Sequence, residues 1–356
     1  MAMRRLVMLG FAGLLALGVS AAEPSVRWRG FNLLDMFIWE EGHALPAFHE
    51  EDFALIREWG FNFVRLPVDY RFWTHGGDWG TIDEAWVEPI DRAIELGAKY
   101  GVHVQLNLHR APGYCINLGH LERKKLFEGN AEARAAFTAH WAFFAKRYAS
   151  VPADRLSFDL VNEPPGVEEE VYVGAVSDAI AAIRSVSPDR IIVSDGRFGG
   201  NVPTDALLGE RGIVQAMRGY VPMNVTHYLA DWVEPEVWGD GVPTWPPADG
   251  GAKAKYDDPG LDFLYRNNYA RWDAFAAKGG KVILGEFGVY NRTPHAVALA
   301  AIEANLRLVK ERNWSWALWE LRGDFGVLDS GRKDVDYEDF RGHKLDRKLL
   351  DILLAY

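Results

Sequence analysis

The chain has 356 residues, with 39 Lys and Arg against 50 Asp and Glu, a formal net charge of −11. Hydrophobic residues make up 49% and charged residues 25%, which excludes wholesale disorder and provides apolar material for a sizeable core. So acidic a chain lacks the basic stripe of a nucleic-acid groove, and its single cysteine, Cys115, excludes an internal disulfide framework or a multi-thiolate metal cluster.

Residues 1–22 read as a secretory signal. Arg4 and Arg5 supply the positive start, residues 6–19 are apolar or small, and Ser20-Ala21-Ala22 offers a cleavage site before Glu23-Pro24. The run is too short and too rich in Gly and Ala for a transmembrane span. The expectation is a secreted or periplasmic protein, free of the membrane once the leader is removed.

Short runs rich in Val, Ile, Leu and Phe then alternate with stretches of helical period. Strands are predicted at 28–33, 62–66, 102–108, 155–161, 191–194, 224–227, 282–286 and 315–319. Helices are predicted over 51–59, 82–100, 131–149, 167–186, 261–278, 294–312 and 344–355. Trp59-Gly60-Phe61, Tyr100-Gly101-Val102 and Gly279-Gly280-Lys281 each read as a Gly-capped helix end running straight into a strand. Strands with little polar alternation are covered on both faces, the mark of a parallel sheet. Eight such units fit a closed (β/α)8 TIM barrel, α/β in class, forming one catalytic domain over 23–356. A doubly wound sheet binding a dinucleotide would want a Gly-rich turn after the first strand, and none is there.

The long loops, 69–81, 110–130, 229–260 and 320–343, all follow strands, so they belong to the C-terminal face of the barrel, where active sites lie. The residues at the predicted strand tips are Arg65, His109, Asn162, Glu163, His227, Tyr228, Glu286 and Trp319. Each alone has a structural explanation: a solvated carboxylate, a hydrogen-bonded imidazole, a packed ring. Six strand ends carrying such a set together point instead to chemistry. Two carboxyl groups facing each other across a barrel mouth suit glycoside hydrolysis, which needs one protonated and one ionised.

Six motifs occur in chain order: Phe63-Val64-Arg65-Leu66-Pro67, Leu108-His109-Arg110-Ala111-Pro112-Gly113, Asn162-Glu163-Pro164, His227-Tyr228, Gly285-Glu286-Phe287-Gly288 and Trp319. On these the sequence resembles glycoside hydrolase family five, the cellulase-type retaining β-glycanases of clan A. The resemblance implies Glu163 as acid/base and Glu286 as nucleophile, with Arg65 as counter-charge and Tyr228 hydrogen-bonded to Glu286. It implies that Asn162 binds the sugar 2-hydroxyl, that His109 and His227 bind substrate and support the carboxylates, and that Trp319 floors the cleaved bond. Retention implies carboxyl groups about 5–5.5 Å apart. No cofactor and no metal are implied; the expected partner is a β-glucan, met by a monomer.

Besides Trp28 and Trp319, the other 12 of the 14 Trp divide in two. Trp59, Trp86, Trp141, Trp272, Trp314 and Trp316 fall on or beside helices and strands, where packing is expected. Trp39, Trp73, Trp79, Trp232, Trp238 and Trp245 lie in or beside loops, where an indole either buries a sugar face or anchors its own loop. A metal-dependent barrel hydrolase would want His-x-His on the first strand, which is lacking. An endo-β-1,4-glucanase is the leading expectation. A β-mannanase or exo-β-1,3-glucanase would use the same residues, and a non-catalytic carbohydrate-binding relative would have lost one of the two Glu.

Overall fold

The computed structural model describes residues 27–117, 122–248 and 251–356; the expected leader lies outside the described residues. Eight parallel strands close in sequence order: β1 (Arg29–Asn32), β2 (Phe63–Asp69), β3 (His103–Arg110), β4 (Leu156–Asp159), β5 (Ile191–Asp195), β6 (Ile213–Arg218), β7 (Val282–Phe287) and β8 (Ser315–Leu318). β8 pairs with β1, so the expected (β/α)8 barrel is present. The main outer helices are α1 (Glu50–Glu58), α2 (Glu88–Tyr100), α3 (Ala131–Arg147), α4 (Glu169–Val186), α5 (Pro259–Leu264), α6 (Ala270–Ala277), α7 (His295–Glu311) and α8 (Arg347–Ala355). In the loop after β8, Glu338–Phe340 and His343–Leu345 form a small antiparallel ribbon.

The helices seat by their apolar faces. In α2, Ile90, Ala93, Ile94, Leu96 and Gly97 are buried, and Gly101, at φ 67°, ends the helix in the left-handed conformation that glycine adopts without strain. Val102 then donates back to the Gly97 carbonyl, and β3 begins one residue later.

Inside the barrel, alternation along the strands separates two chemistries. Trp28, Phe63, Ile191, Val193, Val214, Ala216, Ile283 and Ala317 form an apolar plug. Because side chains alternate with a period of two, the residues two positions beyond Phe63, Val193 and Ala216 share their inward face. Those residues are Arg65, Asp195 and Arg218, all buried. The barrel thus turns from apolar to ionised within one step toward its C-terminal mouth.

Two elements depart from expectation. Residues 224–227 do not form the sixth strand: Met223–Thr226 is one helical turn, with Val225 bonded back to Pro222. The sixth strand is Ile213–Arg218, whose buried polar residues Gln215 and Arg218 interrupt the apolar run by which a strand is recognised. The helix expected over 261–278 is α5 and α6 joined through a π-helical turn, Tyr265–Tyr269.

Gly30 of β1 lies so close to β2 that a Cβ would stand 1.7 Å from the Phe63 carbonyl oxygen. Gly30→Ala is expected to push these strands apart and cost about 1–3 kcal/mol, read as a lower urea midpoint with little change in the slope.

Candidate active site

The Arg65 guanidinium occupies the centre of the barrel mouth, wholly buried. Its Nε donates to Asp159 Oδ2 (2.8 Å), Nη1 to Asn32 Oδ1 (3.0 Å) and Glu286 Oε1 (2.5 Å), and Nη2 to Asn162 Oδ1 (2.9 Å). Arg218, at the tip of β6, is a second buried guanidinium beside it. Its Nη2 donates to Asn162 Oδ1 (2.8 Å) and to Asp195 Oδ2, and lies 3.1 Å from Glu286 Oε1, while its Nε lies 3.2 Å from Glu163 Oε1. One guanidinium therefore touches both glutamates.

The two carboxyl groups have unequal surroundings. Glu286, on β7, receives two cationic donors at Oε1 and the Tyr220 hydroxyl (3.2 Å) at Oε2. Charge-assisted bonds of this kind stabilise an ionised carboxylate. Glu163 stands beyond the end of β4, in a left-handed conformation at φ 46°. Its amide donates to Asp195 Oδ2 (2.8 Å) and its carbonyl accepts from the Tyr114 hydroxyl (2.5 Å), so the backbone is pinned on both sides. Burial, and then the charge of Glu286, push its carboxyl up to about 8. At neutral pH Glu163 carries its proton.

Asn162 is held by both arginines at its oxygen, which turns its amide nitrogen toward Glu163 Oε2 (3.4 Å) and His109 Nε2 (3.3 Å). Since that nitrogen can only donate, His109 Nε2 accepts and the ring proton sits on Nδ1. Burial, with Arg65 and Arg218 nearby, holds the His109 imidazole neutral, its pKa well below the ordinary value. Its ring lies 5.6 Å from Trp319 and edge-on to Phe37 at 4.6 Å. Trp319 packs with Ala230, Tyr290 and Phe325 into an apolar shelf.

Six of the residues expected at the site, Arg65, His109, Asn162, Glu163, Glu286 and Trp319, are brought together. Tyr228 is not: it follows the Met223–Thr226 turn, and Tyr220, two residues beyond Arg218, makes the bond to Glu286 expected of it. His227 makes no hydrogen bond to either glutamate; it meets Thr226 Oγ1 at 2.9 Å and the Tyr220 ring edge at 5.0 Å. Arg218, Asp159, Asp195 and Tyr220 were not singled out in the sequence. The spacing Arg218-Gly219-Tyr220 at a strand tip was the available signal, hidden by misplacement of that strand.

The loop indoles also sort differently. Trp73 is fully buried and belongs to the core, whereas Trp232 is 55% exposed above His227, Tyr290 and Phe325. Trp86, expected to pack, lines an open cleft of about 550 Å3 with Trp39, His43 and His75. Cys115 is buried.

A positioning contact comes from outside the barrel. The π-helical turn places Asn268 against β6, where its Nδ2 donates to the Arg218 carbonyl at 2.7 Å. Such turns insert a residue and re-aim side chains, often at functional sites.

Residues 19–324 match the model of the cellulase family, glycosyl hydrolase family 5. Cellodextrinase A of Ruminococcus flavefaciens is 30% identical over 249 residues, 67% of this chain and 68% of that protein. Endoglucanase C of Acetivibrio thermocellus is 27% identical over 327 residues, 85% of this chain and 92% of the relative. A crystal structure described as that of a glycoside hydrolase superposes with a TM-score of 0.84 at 40% identity, over 93% of this chain and 99% of the other. Barrel, paired glutamates and relatives together define a glycoside hydrolase. The chain belongs to glycosyl hydrolase family 5, the cellulase family.

The electrostatic coupling of the two glutamates has a direct check. In Glu286→Gln the negative neighbour is gone, so the Glu163 carboxyl is expected to titrate below about 8, followed by carbon-13 NMR of labelled glutamate side chains. An unchanged or higher value would contradict the coupling.

Proposed function

We propose that the chain is a secreted, retaining endo-β-1,4-glucanase that works by double displacement. What supports it above all is a pair of carboxyl groups that share Arg218, one of them, Glu163, pushed up to about 8 by burial and by the charge of the other. Glu286 is the nucleophile. Its Oε1 is occupied by two guanidinium groups, which leaves Oε2, held only by Tyr220, to attack the anomeric carbon. As that bond forms, the bond to the leaving sugar breaks, and Glu163 delivers its proton to the departing oxygen. In the second step Glu163, now a carboxylate, takes a proton from water, whose oxygen displaces Glu286 and restores the starting configuration.

Asn162, held by both arginines beside Glu163, is placed to meet the sugar 2-hydroxyl. Trp319 supplies an apolar surface beneath the sugar, and Trp232 one further along the cleft. The contact of both carboxylates with one guanidinium supports the close spacing of a retaining enzyme over the wider gap of an inverting one. The endo-β-1,4 assignment draws on the endoglucanase and cellodextrinase relatives, and export on the character of residues 1–22.

Reducing-sugar release from soluble β-glucan, with product lengths, tests the proposal. Wild type should release a ladder of short β-1,4 oligosaccharides, and Glu286→Gln none. Release of single glucose units from laminarin alone, or of products from mannan alone, would overturn the substrate. Glu163→Ala should lose about 10²–10⁴-fold on polysaccharide but far less on aryl glycosides with activated leaving groups, which need little protonation. Equal losses would overturn the acid role.

The pH profile supplies a second test. The acid must hold its proton, so kcat/KM should fall as pH rises through about 8. Tyr220→Phe should lower kcat about tenfold or more, the loss of one hydrogen bond to a charged group, while Tyr228→Phe leaves it within about twofold.

A further inference from the structure

Asp195 is wholly buried at the tip of β5, between the strand that leads to Glu163 and the strand that ends in Arg218. Its Oδ2 accepts the Glu163 amide at 2.8 Å and a second hydrogen bond from Arg218 Nη2. Its Oδ1 accepts from Arg218 Nη1 at 3.3 Å, so carboxylate and guanidinium meet as two parallel forks. Arg65 Nη2 stands 4.0 Å from Oδ2. A buried guanidinium needs a counter-charge, and Glu286 already gives Arg218 one. A counter-charge alone does not explain why one oxygen takes both Arg218 and the amide of Glu163.

That amide bond matters because Glu163 has φ 46°, a left-handed conformation that a residue with a side chain resists. Strain of this kind persists where the surroundings over-determine it. Asp195 supplies one of two fixings, and the Tyr114 hydroxyl at the Glu163 carbonyl is the other. Charge acts alongside geometry. Arg218 Nε, 3.2 Å from Glu163 Oε1, favours loss of the Glu163 proton, while Asp195 holds the far edge of the same guanidinium and opposes that loss. With Glu163 protonated, the cluster sets Arg65 and Arg218 against three carboxyl groups, Asp159, Asp195 and Glu286. Without Asp195 the balance is two against two, and Glu163 holds its proton less firmly.

We propose that Asp195 is a positioning residue for the acid, fixing the Glu163 backbone and drawing the Arg218 charge away from its carboxyl. Wholly buried, it acts through Glu163 and Arg218 rather than on the sugar. The inference rests on the glucanase reading, because it takes Glu163 as the acid. The titratable groups that face Asp195 are Arg218 of β6, Arg65 of β2, Asp159 of β4, Glu163 beyond it, Tyr114 from the loop after β3 and Tyr172 of α4. Burial raises both tyrosine hydroxyls beyond the range in which Glu163 titrates. Burial, and then the charge of Asp195, also raise Asp159, so a pH profile has to be paired with a probe that sees glutamate alone.

Asp195→Asn removes the charge and keeps an oxygen for the Glu163 amide. In wild type, kcat/KM on soluble β-glucan should fall as pH rises through about 8, and in this variant the fall should begin about one pH unit lower. The Glu163 carboxyl, followed by carbon-13 NMR of labelled glutamate without substrate, should move down with it. Asp195→Glu keeps the charge but its longer side chain displaces the amide contact. It should titrate as wild type does while kcat falls about tenfold or more. An unmoved Glu163 titration in Asp195→Asn, whatever the loss of activity, would leave only a structural role and overturn the proposal. So would an undiminished kcat in Asp195→Glu, which carries the test should the asparagine variant not fold. The NMR shift reports on Asp195 alone, whereas failure of wild type to cleave β-glucan counts against the glucanase reading.

Discussion

The mouth of this barrel is held together by one buried cation. Arg65 rises from β2 and bonds, through every nitrogen of its guanidinium, to groups carried by β1, β4, the segment after β4, and β7. An ionised group so far from water costs several kcal/mol unless its donors are matched, and removing one partner of such a pair costs about 3–5 kcal/mol. The planar fork of arginine satisfies several acceptors at fixed angles, which the compact ammonium of lysine cannot do. The positions of Asn162 and Glu286 follow from that fork, and those of Arg218 and Tyr220 follow from Glu286.

Asymmetry between the glutamates comes out of the same packing. Glu286 lies within β7, enclosed with both guanidinium groups. Glu163 stands outside its strand, its side chain 16% exposed and meeting Arg218 only at its Nε edge. Two residues of the same type thus meet different charges because one is inside the charge cluster and the other is at its border. Strand geometry and two arginines suffice for that difference.

Much of this was legible in the sequence, and the exceptions share a cause. Seven strands, the glycine-terminated helices, Glu163 and Glu286 could be read because their signals are local: an apolar run, a cap, a polar residue where the run stops. β6 escaped because it carries Arg218 on its inward face and Gln215 on the other, so its pattern looks like a loop. Residues 224–227, with β-branched Val225 and Thr226 and followed by Tyr228, imitate a strand tip, while Pro222 starts a helical turn there. Asp159 and Asp195 were hidden for the same reason as Arg218. A charge within a strand becomes intelligible only when its partner, two or three strands away, is seen beside it. For Trp73, position in the chain leaves sugar platform and loop anchor both open, and only the fold, which buries it completely, decides for the anchor.

The π-helical turn at Tyr265–Tyr269 has a consequence for how this enzyme can diverge. Asn268 reaches the Arg218 carbonyl because the outer helix carries one residue more than regular winding would allow. Deleting that residue would rotate everything beyond it by about 100° and swing the amide away from the barrel. The length of an outer helix is therefore a heritable setting of the tip of β6, where Arg218 meets both glutamates. Insertions and deletions on the rim, usually the freest part of a barrel to drift, are constrained here by an arginine they never touch through its side chain.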